Sequence, residues 1–298
     1  MRIPIFDHHI HMDSRNANDY ELMAVSGVEA ILVPCTFSGQ QKKTKDAYFE
    51  YFKRLLGFEK SRASAFGIEF YAGLSINSGD IGDMKAANEA VNELSEYLSH
   101  EGVCALGELS LKSYSKDEIA IFVRQLTLAK ELSMPVMIEA PPGKGIEPLE
   151  KLVVVLKGAI SDHDLDPSSW LMVDLNKDKL ALVWDLELGG YGIPVSPKLN
   201  GLFAVHQKMD AKEAKEIIDQ YGSEKIMFNS ALHFGFGDPL CISRVLLHLD
   251  RMGVSDEILK KLTYDNAIRF FSQSENFQLN ENYKKHANKI PSYGSILG

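Results

Sequence analysis

Short apolar segments alternate with longer amphipathic segments along most of the chain, and this alternation constrains the fold more than any other feature. Runs that are apolar at nearly every position are typical of strands buried on both faces of a parallel sheet. We interpret eight runs as strands, at residues 3–6, 28–33, 68–74, 103–106, 135–138, 170–173, 191–195 and 225–228. The order of elements therefore predicts repeated βα units.

The segments between the predicted strands carry helix signals. One apolar face repeats at steps of three and four residues: Met84, Ala87, Val91, Leu94 and Leu98. Ser115 and Glu118 have the form of a capping box at a helix start. Asp238 before Pro239 is typical of an N-cap followed by proline in the first turn. Residues 255–271 are typical of a last amphipathic helix or helix pair.

Eight strands, each followed by a helix or a long loop, predict a single-domain (β/α)8 TIM barrel. A doubly wound sheet is the alternative. The barrel is favoured because polar, reactive residues follow several different strands, and barrel enzymes build their sites at the carboxyl ends of their strands. We expect residues 1–272 to form the barrel and residues 273–298 to form a polar C-terminal tail, since no periodicity continues there.

Composition excludes several classes of protein. Of the 298 residues, 45% are hydrophobic and 24% are charged, which is typical of a folded globular chain rather than a disordered or coiled-coil one. The formal charge of −9 argues against a bare phosphate-binding surface, so a small-molecule substrate is expected and nucleic acid is not. The sequence gives no indication of the oligomeric state.

The compartment is expected to be the cytoplasm. The three cysteines are widely separated and have no metal-binding spacing, which favours reduced thiols: Cys35, Cys104 and Cys241. The amino terminus leads directly into the first predicted strand without the apolar region of a signal peptide. No stretch of 18 apolar residues occurs, so no membrane association is expected.

The first predicted strand runs into three histidines within four residues. Because alternate residues of a strand project to the same side, His9 and His11 can bind one cation, whereas His8 should point the other way. The alternative is a histidine cluster at an exposed strand end. Three imidazoles so close together favour a metal site over a solvated loop.

Two glutamates follow later apolar runs. Glu108 comes after the fourth run and after Gly107, which permits close approach of backbone or ligand, and it is a candidate metal ligand. Glu139 follows the fifth run and is a candidate second oxygen ligand. The alternatives are a helix-capping or ion-paired role for Glu108 and a salt bridge inside the barrel mouth for Glu139.

The sixth and eighth runs contribute further candidates. Asp174 ends the sixth run, and His233 lies in a loop rich in glycine and phenylalanine after the eighth. Either side chain could transfer protons, and His233 could also bind metal, the alternative being an exposed loop imidazole. His206, after the seventh run, is a weaker candidate of the same kind.

Five segments spread along the chain carry a resemblance to a known family: FDHHIH, GELSL, PVMIEAP, NSALHFGFGDPL and YDNAIRFFSQ. They resemble the TatD-related metal-dependent hydrolases, in particular the divergent EboC-like branch. The resemblance implies a (β/α)8 barrel that holds one or two divalent metals. Members of that family include nucleases and other hydrolases, so the resemblance also leaves nucleic acid open as a substrate.

Compared residue by residue, the chain matches only part of the family pattern. The resemblance assigns His9 and His11 to the paired histidines of strand one and Glu108 to the glutamate of strand four. Glu139 stands where the family has a strand-five histidine. Leu175 stands where the family has a strand-six histidine, and leucine cannot bind metal.

On strand eight, the resemblance places Ala231 near the usual aspartate and His233 where the related branch tends to have an aspartate. Relative to the family, this chain would then have an oxygen donor in place of a nitrogen at Glu139 and a nitrogen donor in place of an oxygen at His233. The two changes would face one another across one cavity. The predicted metal ligands are His9, His11, Glu108 and Glu139. Two histidines and two carboxylates suit Zn, Mn or Fe. One ion is expected rather than two, because Leu175 replaces a ligand on the side of the second metal.

Three functions remain open. The first is a metal-dependent hydrolase of a small ester, amide or phosphoester, in which metal-activated water attacks and His233 or Asp174 transfers protons. The second is a binding or accessory barrel that has lost hydrolysis. The third is a metal-dependent lyase or isomerase, because the same ligand types stabilise an enolate.

Overall fold

A computed structural model of the chain describes residues 3–143, 145–197, 208–235 and 237–279, and contains eight parallel strands paired in sequential order. The strands are β1 (Ile5–Asp7), β2 (Val28–Pro34), β3 (Glu69–Leu74), β4 (Val103–Leu109), β5 (Val136–Glu139), β6 (Trp170–Val173), β7 (Gly190–Pro194) and β8 (Ile226–Asn229). Each coincides with a predicted run. β4 continues beyond the predicted end at residue 106, so Glu108 lies within the strand rather than after it.

Helices cover the outside of the sheet. They are α1 (Ala17–Ser26), α2 (Lys45–Arg54), α3 (Lys60–Ser64), α4 (Met84–Leu98), α5 (Lys116–Glu131), α6 (Glu147–His163), α7 (Lys177–Val183), α8 (Ala211–Tyr221), α9 (Cys241–Arg251), α10 (Asp256–Lys260) and α11 (Asn266–Phe271). Single π-helical turns join α2 to α3 and α10 to α11, so residues 256–271 run as one helical segment. In the part of the chain that the structure describes, no helix has the length and apolar character needed to cross a bilayer.

Backbone hydrogen bonds bring the first and last strands together at the carboxyl end of the barrel. The Ala231 amide donates to the carbonyl of His9 at 3.0 Å, and the His11 amide donates to the carbonyl of Leu232 at 2.7 Å. The predicted (β/α)8 barrel is confirmed. The doubly wound alternative is wrong, because such a sheet reverses its strand order at a switch point and this one does not.

An aromatic cluster fills the amino-terminal end of the barrel, opposite the mouth. Phe6 stacks on Phe277 with ring centroids 6.1 Å apart, and the hydroxyl of Tyr71 donates to the carbonyl of Gln278 at 2.8 Å. The first residues of the predicted tail, up to Gln278, therefore pack against the barrel. Residues 280–298 lie outside the described part, so the predicted boundary after residue 272 stays a prediction.

Of the two predicted helix starts, one is confirmed in part and one is wrong. The Ser115 hydroxyl accepts from the Glu118 amide at the start of α5, but the Glu118 carboxylate accepts from the three amides before Ser115 rather than from that of Ser115, so only half of the capping box forms. Asp238, however, does not cap a helix that begins at Pro239, because α9 begins at Cys241. The Asp238 carboxylate accepts from the Leu240 amide at 3.0 Å, and this local turn postpones the helix.

Candidate metal centre

The segment after β1 carries His9 and His11 into the barrel mouth. Backbone hydrogen bonds from His9 and His11 to the segment after β8 hold this part of the chain in place. Both side chains are buried, and their rings are perpendicular with centroids 5.1 Å apart. His8 instead contacts Asn229 at 3.4 Å and lies 6.4 Å from the ring of Phe271.

Glu108 on β4 brings a carboxylate to these histidines. Its Oε2 lies 2.7 Å from Nε2 of His9 and 3.8 Å from Nε2 of His11. Ser75 fixes the backbone of Glu108 by donating its hydroxyl to the carbonyl at 2.8 Å. At Gly107, a Cβ would lie 2.7 Å from Cβ of Met137, so this close approach of β4 to β5 requires glycine.

Asp174 and Glu139 surround the same cluster. Oδ1 of Asp174 lies 3.7 Å from Nδ1 of His9, and Asp174 adopts φ +61°, a left-handed conformation that aspartate tolerates better than most residues. Burial raises the pKa of Glu139 well above its usual value, and the charges of Glu108 and Asp174 raise it further. The mouth therefore holds three carboxylates close together.

The carboxylates change the protonation of His9. Burial alone would lower the pKa of its imidazole, but the charge of Asp174 and the hydrogen bond and charge of Glu108 outweigh it and raise the pKa to about 9. In the metal-free protein His9 therefore carries a proton at neutral pH. A metal ion must displace that proton before it can bind the ring.

Lys179 is a buried cation beside the site that sequence reasoning missed. Its Nζ donates to the carbonyl of Pro141 at 2.6 Å, just after β5. Burial lowers the pKa of Lys179, while the charges of Asp174 and Glu139 oppose that change. The available signal was its position in the first turn of α7, directly after β6, where a side chain can reach the barrel mouth.

His233 lies in the loop between β8 and α9 and is half-buried. Its Nδ1 accepts from the Gly235 amide at 3.1 Å, and its ring contacts Phe234 edge-on with centroids 4.8 Å apart. Leu175 is fully buried in the apolar core, and its aliphatic side chain has no donor atom for a metal. His206 lies outside the described residues.

The donor set fits a divalent ion. Among the described residues, His9, His11 and Glu108 offer ligand atoms that all lie within 4.8 Å of one another. Two donors on a tetrahedral ion at bond lengths of 2.0 to 2.1 Å lie about 3.3 Å apart. The two separations from Oε2 of Glu108, 2.7 and 3.8 Å, lie on either side of that value. His233, Glu139 and Asp174 are not part of this closest group.

The chain is similar to known proteins in sequence and in fold. The chain is 29% identical to an uncharacterized metal-dependent hydrolase of Methanocaldococcus jannaschii over 268 residues, which cover 90% of this chain and 99% of that protein. No family model matches the chain.

Two solved structures share the fold of this chain. A TatD-like protein from Archaeoglobus fulgidus has a TM-score of 0.70 at 20% identity, with 90% of this chain and 99% of that chain covered. A TatD homologue from Escherichia coli has a TM-score of 0.60 at 17% identity, with 91% and 99% covered. All three proteins match this chain over nearly their whole length.

Proposed function

We propose that this chain, a TatD-related barrel protein, is a metal-dependent hydrolase of a small ester, amide or phosphoester. The observation that carries the proposal is the buried cluster of His9, His11 and Glu108 at the barrel mouth. The name of the relative from Methanocaldococcus jannaschii supports the same chemistry. The narrower EboC-like assignment stays a prediction.

Four side chains are proposed to hold one divalent ion. His9, His11 and Glu108 supply the closest donors, and Glu139 at the end of β5 supplies a further oxygen. Zn is the first candidate, with Mn and Fe as alternatives, because mixed imidazole and carboxylate sets suit all three. Such an ion polarises the bond to be cleaved and activates water at neutral pH.

Asp174 and His233 are proposed to move protons. Asp174 lies against His9 and can accept a proton from an attacking water. Because the Nδ1 of His233 accepts from the Gly235 amide, its neutral ring carries the proton on Nε2. That proton can be donated to a leaving group.

Charge balance supports one ion rather than two. Glu108, Glu139 and Asp174 together carry three negative charges when ionised, and Lys179 contributes one positive charge beside them. One divalent ion brings this set to neutrality, whereas a second ion would leave an uncompensated buried charge.

A small molecule is the proposed substrate. The negative net charge and the acidic mouth disfavour a polyanion such as nucleic acid. A cytoplasmic location is supported by the three cysteines, which are all free and buried.

The experiment reconstitutes chelator-treated protein with Zn or Mn and measures hydrolysis of a panel of small nitrophenyl esters, nitroanilides and nitrophenyl phosphates. The proposal expects metal-dependent hydrolysis of at least one class. The Glu108→Gln variant should lose that activity, whereas Glu150→Gln on the exposed face of α6 should keep it. A folded protein that rejects both metals would instead support an accessory barrel.

A further inference from the structure

The side chain of Arg15 binds the backbone of the loop between β8 and α9. Its guanidinium donates to three carbonyl oxygens of this loop: His233 at 3.2 Å, Gly235 at 2.9 Å and Gly237 at 3.2 Å. The Arg15 Nε also donates to Asp19 at 2.8 Å, and the Arg15 side chain is only 11% exposed. One side chain after β1 thus fixes a loop 220 residues away in sequence.

Arg15 is itself held in place. Arg62 donates to the carbonyl of Arg15 at 2.6 Å and to that of Met12 at 3.3 Å. The guanidinium of Arg62 also binds the buried Glu59 at 2.6 Å and lies 5.2 Å from the ring centre of Tyr20. A continuous chain of contacts therefore runs from a buried carboxylate through two arginines to the loop that carries His233.

The sequence of this loop favours a flexible backbone, so the loop needs contacts from outside to hold one conformation. The sequence from His233 to Gly237 contains two glycines, which give a free chain unusual conformational freedom. Carbonyl groups of a loop that lack secondary-structure partners need other donors. A planar guanidinium can supply several donors to neighbouring oxygens at fixed angles, which an ammonium group cannot.

The contacts of Arg15 also reach the His233 ring. Arg15 binds the carbonyl of Gly235, while the amide of the same residue donates to Nδ1 of His233. A Cβ at Gly235 would lie 3.0 Å from Cε1 of the ring, so the ring rests directly on this glycine. Fixing the Gly235 backbone therefore fixes the orientation and tautomer of the imidazole.

We infer that Arg15 is a positioning residue that orders the β8–α9 loop and holds His233 with its Nε2 proton available for donation. The role of His233 in this inference rests on the proposed function. All of these contacts lie within the chain itself, so they hold the loop before a substrate binds, and little ordering entropy is lost at the reaction step.

The test compares Arg15→Gln and Arg15→Lys with Arg124→Gln. Arg124 is a matched control because it bonds two side chains of α4, Asn88 and Asn92, far along the chain from the loop. Hydrogen exchange of peptides covering residues 233–237 should quicken by about tenfold or more in both Arg15 variants and remain unchanged in the control. Arg15→Lys should not restore the wild-type exchange rates, because an ammonium group lacks the planar set of donors that a guanidinium has.

A second readout follows the ring itself. In the wild type, 15N NMR should report a single tautomer of His233 with the proton on Nε2, and Arg15→Gln should give a mixture. Metal content should stay at the wild-type level. Unchanged exchange and unchanged ring shifts would overturn the inference, as would loss of the metal from Arg15→Gln.

These measurements need no substrate and keep the two claims separate. Failure of metal reconstitution would count against the proposed function alone. Failure of the loop and ring measurements would count against the role of Arg15 alone. If Arg15→Gln unfolds, His233→Gln in a protein with Arg15 intact shows whether the loop contacts persist without the imidazole, as the inference expects; a disordered loop in that variant would overturn it.

Discussion

Nε2 of His9 lies 2.7 Å from Oε2 of Glu108, although the two residues are 99 positions apart in the chain. The contact exists because the segment after β1 and strand β4 bring the two side chains to the same mouth of the barrel. A buried imidazole beside a buried carboxylate can share either a proton or a metal ion. The chemistry of the site depends on which of these it holds.

Glu139→Gln tests the proposed fourth ligand. The substitution keeps the shape of the side chain and removes its charge, so we expect metal affinity to fall at least about tenfold. Competition with a chromophoric chelator measures the change, with Glu150→Gln as the surface control. Wild-type affinity in Glu139→Gln would leave this carboxylate with a salt-bridge role only.

Glu139→His, His233→Asp and the double variant test the exchange of donors that the family resemblance implies for these two positions. If both residues share one cavity, each single reversal should weaken metal binding and the double reversal should restore part of the loss. Metal affinity is measured for all four combinations. Strictly additive losses would mean that the two side chains do not share a site.

Metal affinity should depend on pH over an unusually wide range. The pKa of His9 is raised to about 9, so below that pH a proton competes with the metal for the ring. Affinity should therefore rise by about tenfold per pH unit from about pH 7 to about pH 9. An ordinary histidine would stop competing above its usual value of about 6.5. Affinity that levels off at pH 7 would contradict the environment described for His9.

Lys179→Met tests whether the buried ammonium lowers the metal affinity of the site. Methionine keeps the length of the stem and removes the positive charge beside Asp174 and Glu139. We expect the variant to bind one equivalent of Mn more tightly than the wild type, because the three carboxylates then face the ion without an opposing positive charge. Titration calorimetry gives the affinity and the stoichiometry. One equivalent at unchanged affinity would remove Lys179 from the account of charge balance.

The barrel and part of the site could be predicted from the sequence because both depend on local pattern. Buried parallel strands leave continuous apolar runs, and the residues that follow such runs meet at one mouth. His9, His11 and Glu108 follow from that rule alone. The start of α9 could not be predicted in this way, because Asp238 closes a local turn that competes with the N-cap expected there.

Other features depend on contacts that no local pattern records. The approach of Asp174 to His9 depends on a left-handed backbone at that aspartate. Lys179 reaches the mouth only because α7 packs so that its first turn meets the chain after β5. Arg15 binds backbone carbonyls, which every residue has, so the sequence of the β8–α9 loop carries no sign of its partner.

The most direct test of the central claim compares the metal content of the wild type with that of the His9→Ala, His11→Ala double variant. Both proteins are purified without chelator, analysed by mass spectrometry for metals, and checked for folding by cooperative thermal unfolding. The account predicts about one equivalent of a transition metal in the wild type and none in the variant, which stays folded because the apolar core lies below the strand ends. Equal metal content in the two proteins, or global unfolding of the variant, would contradict it.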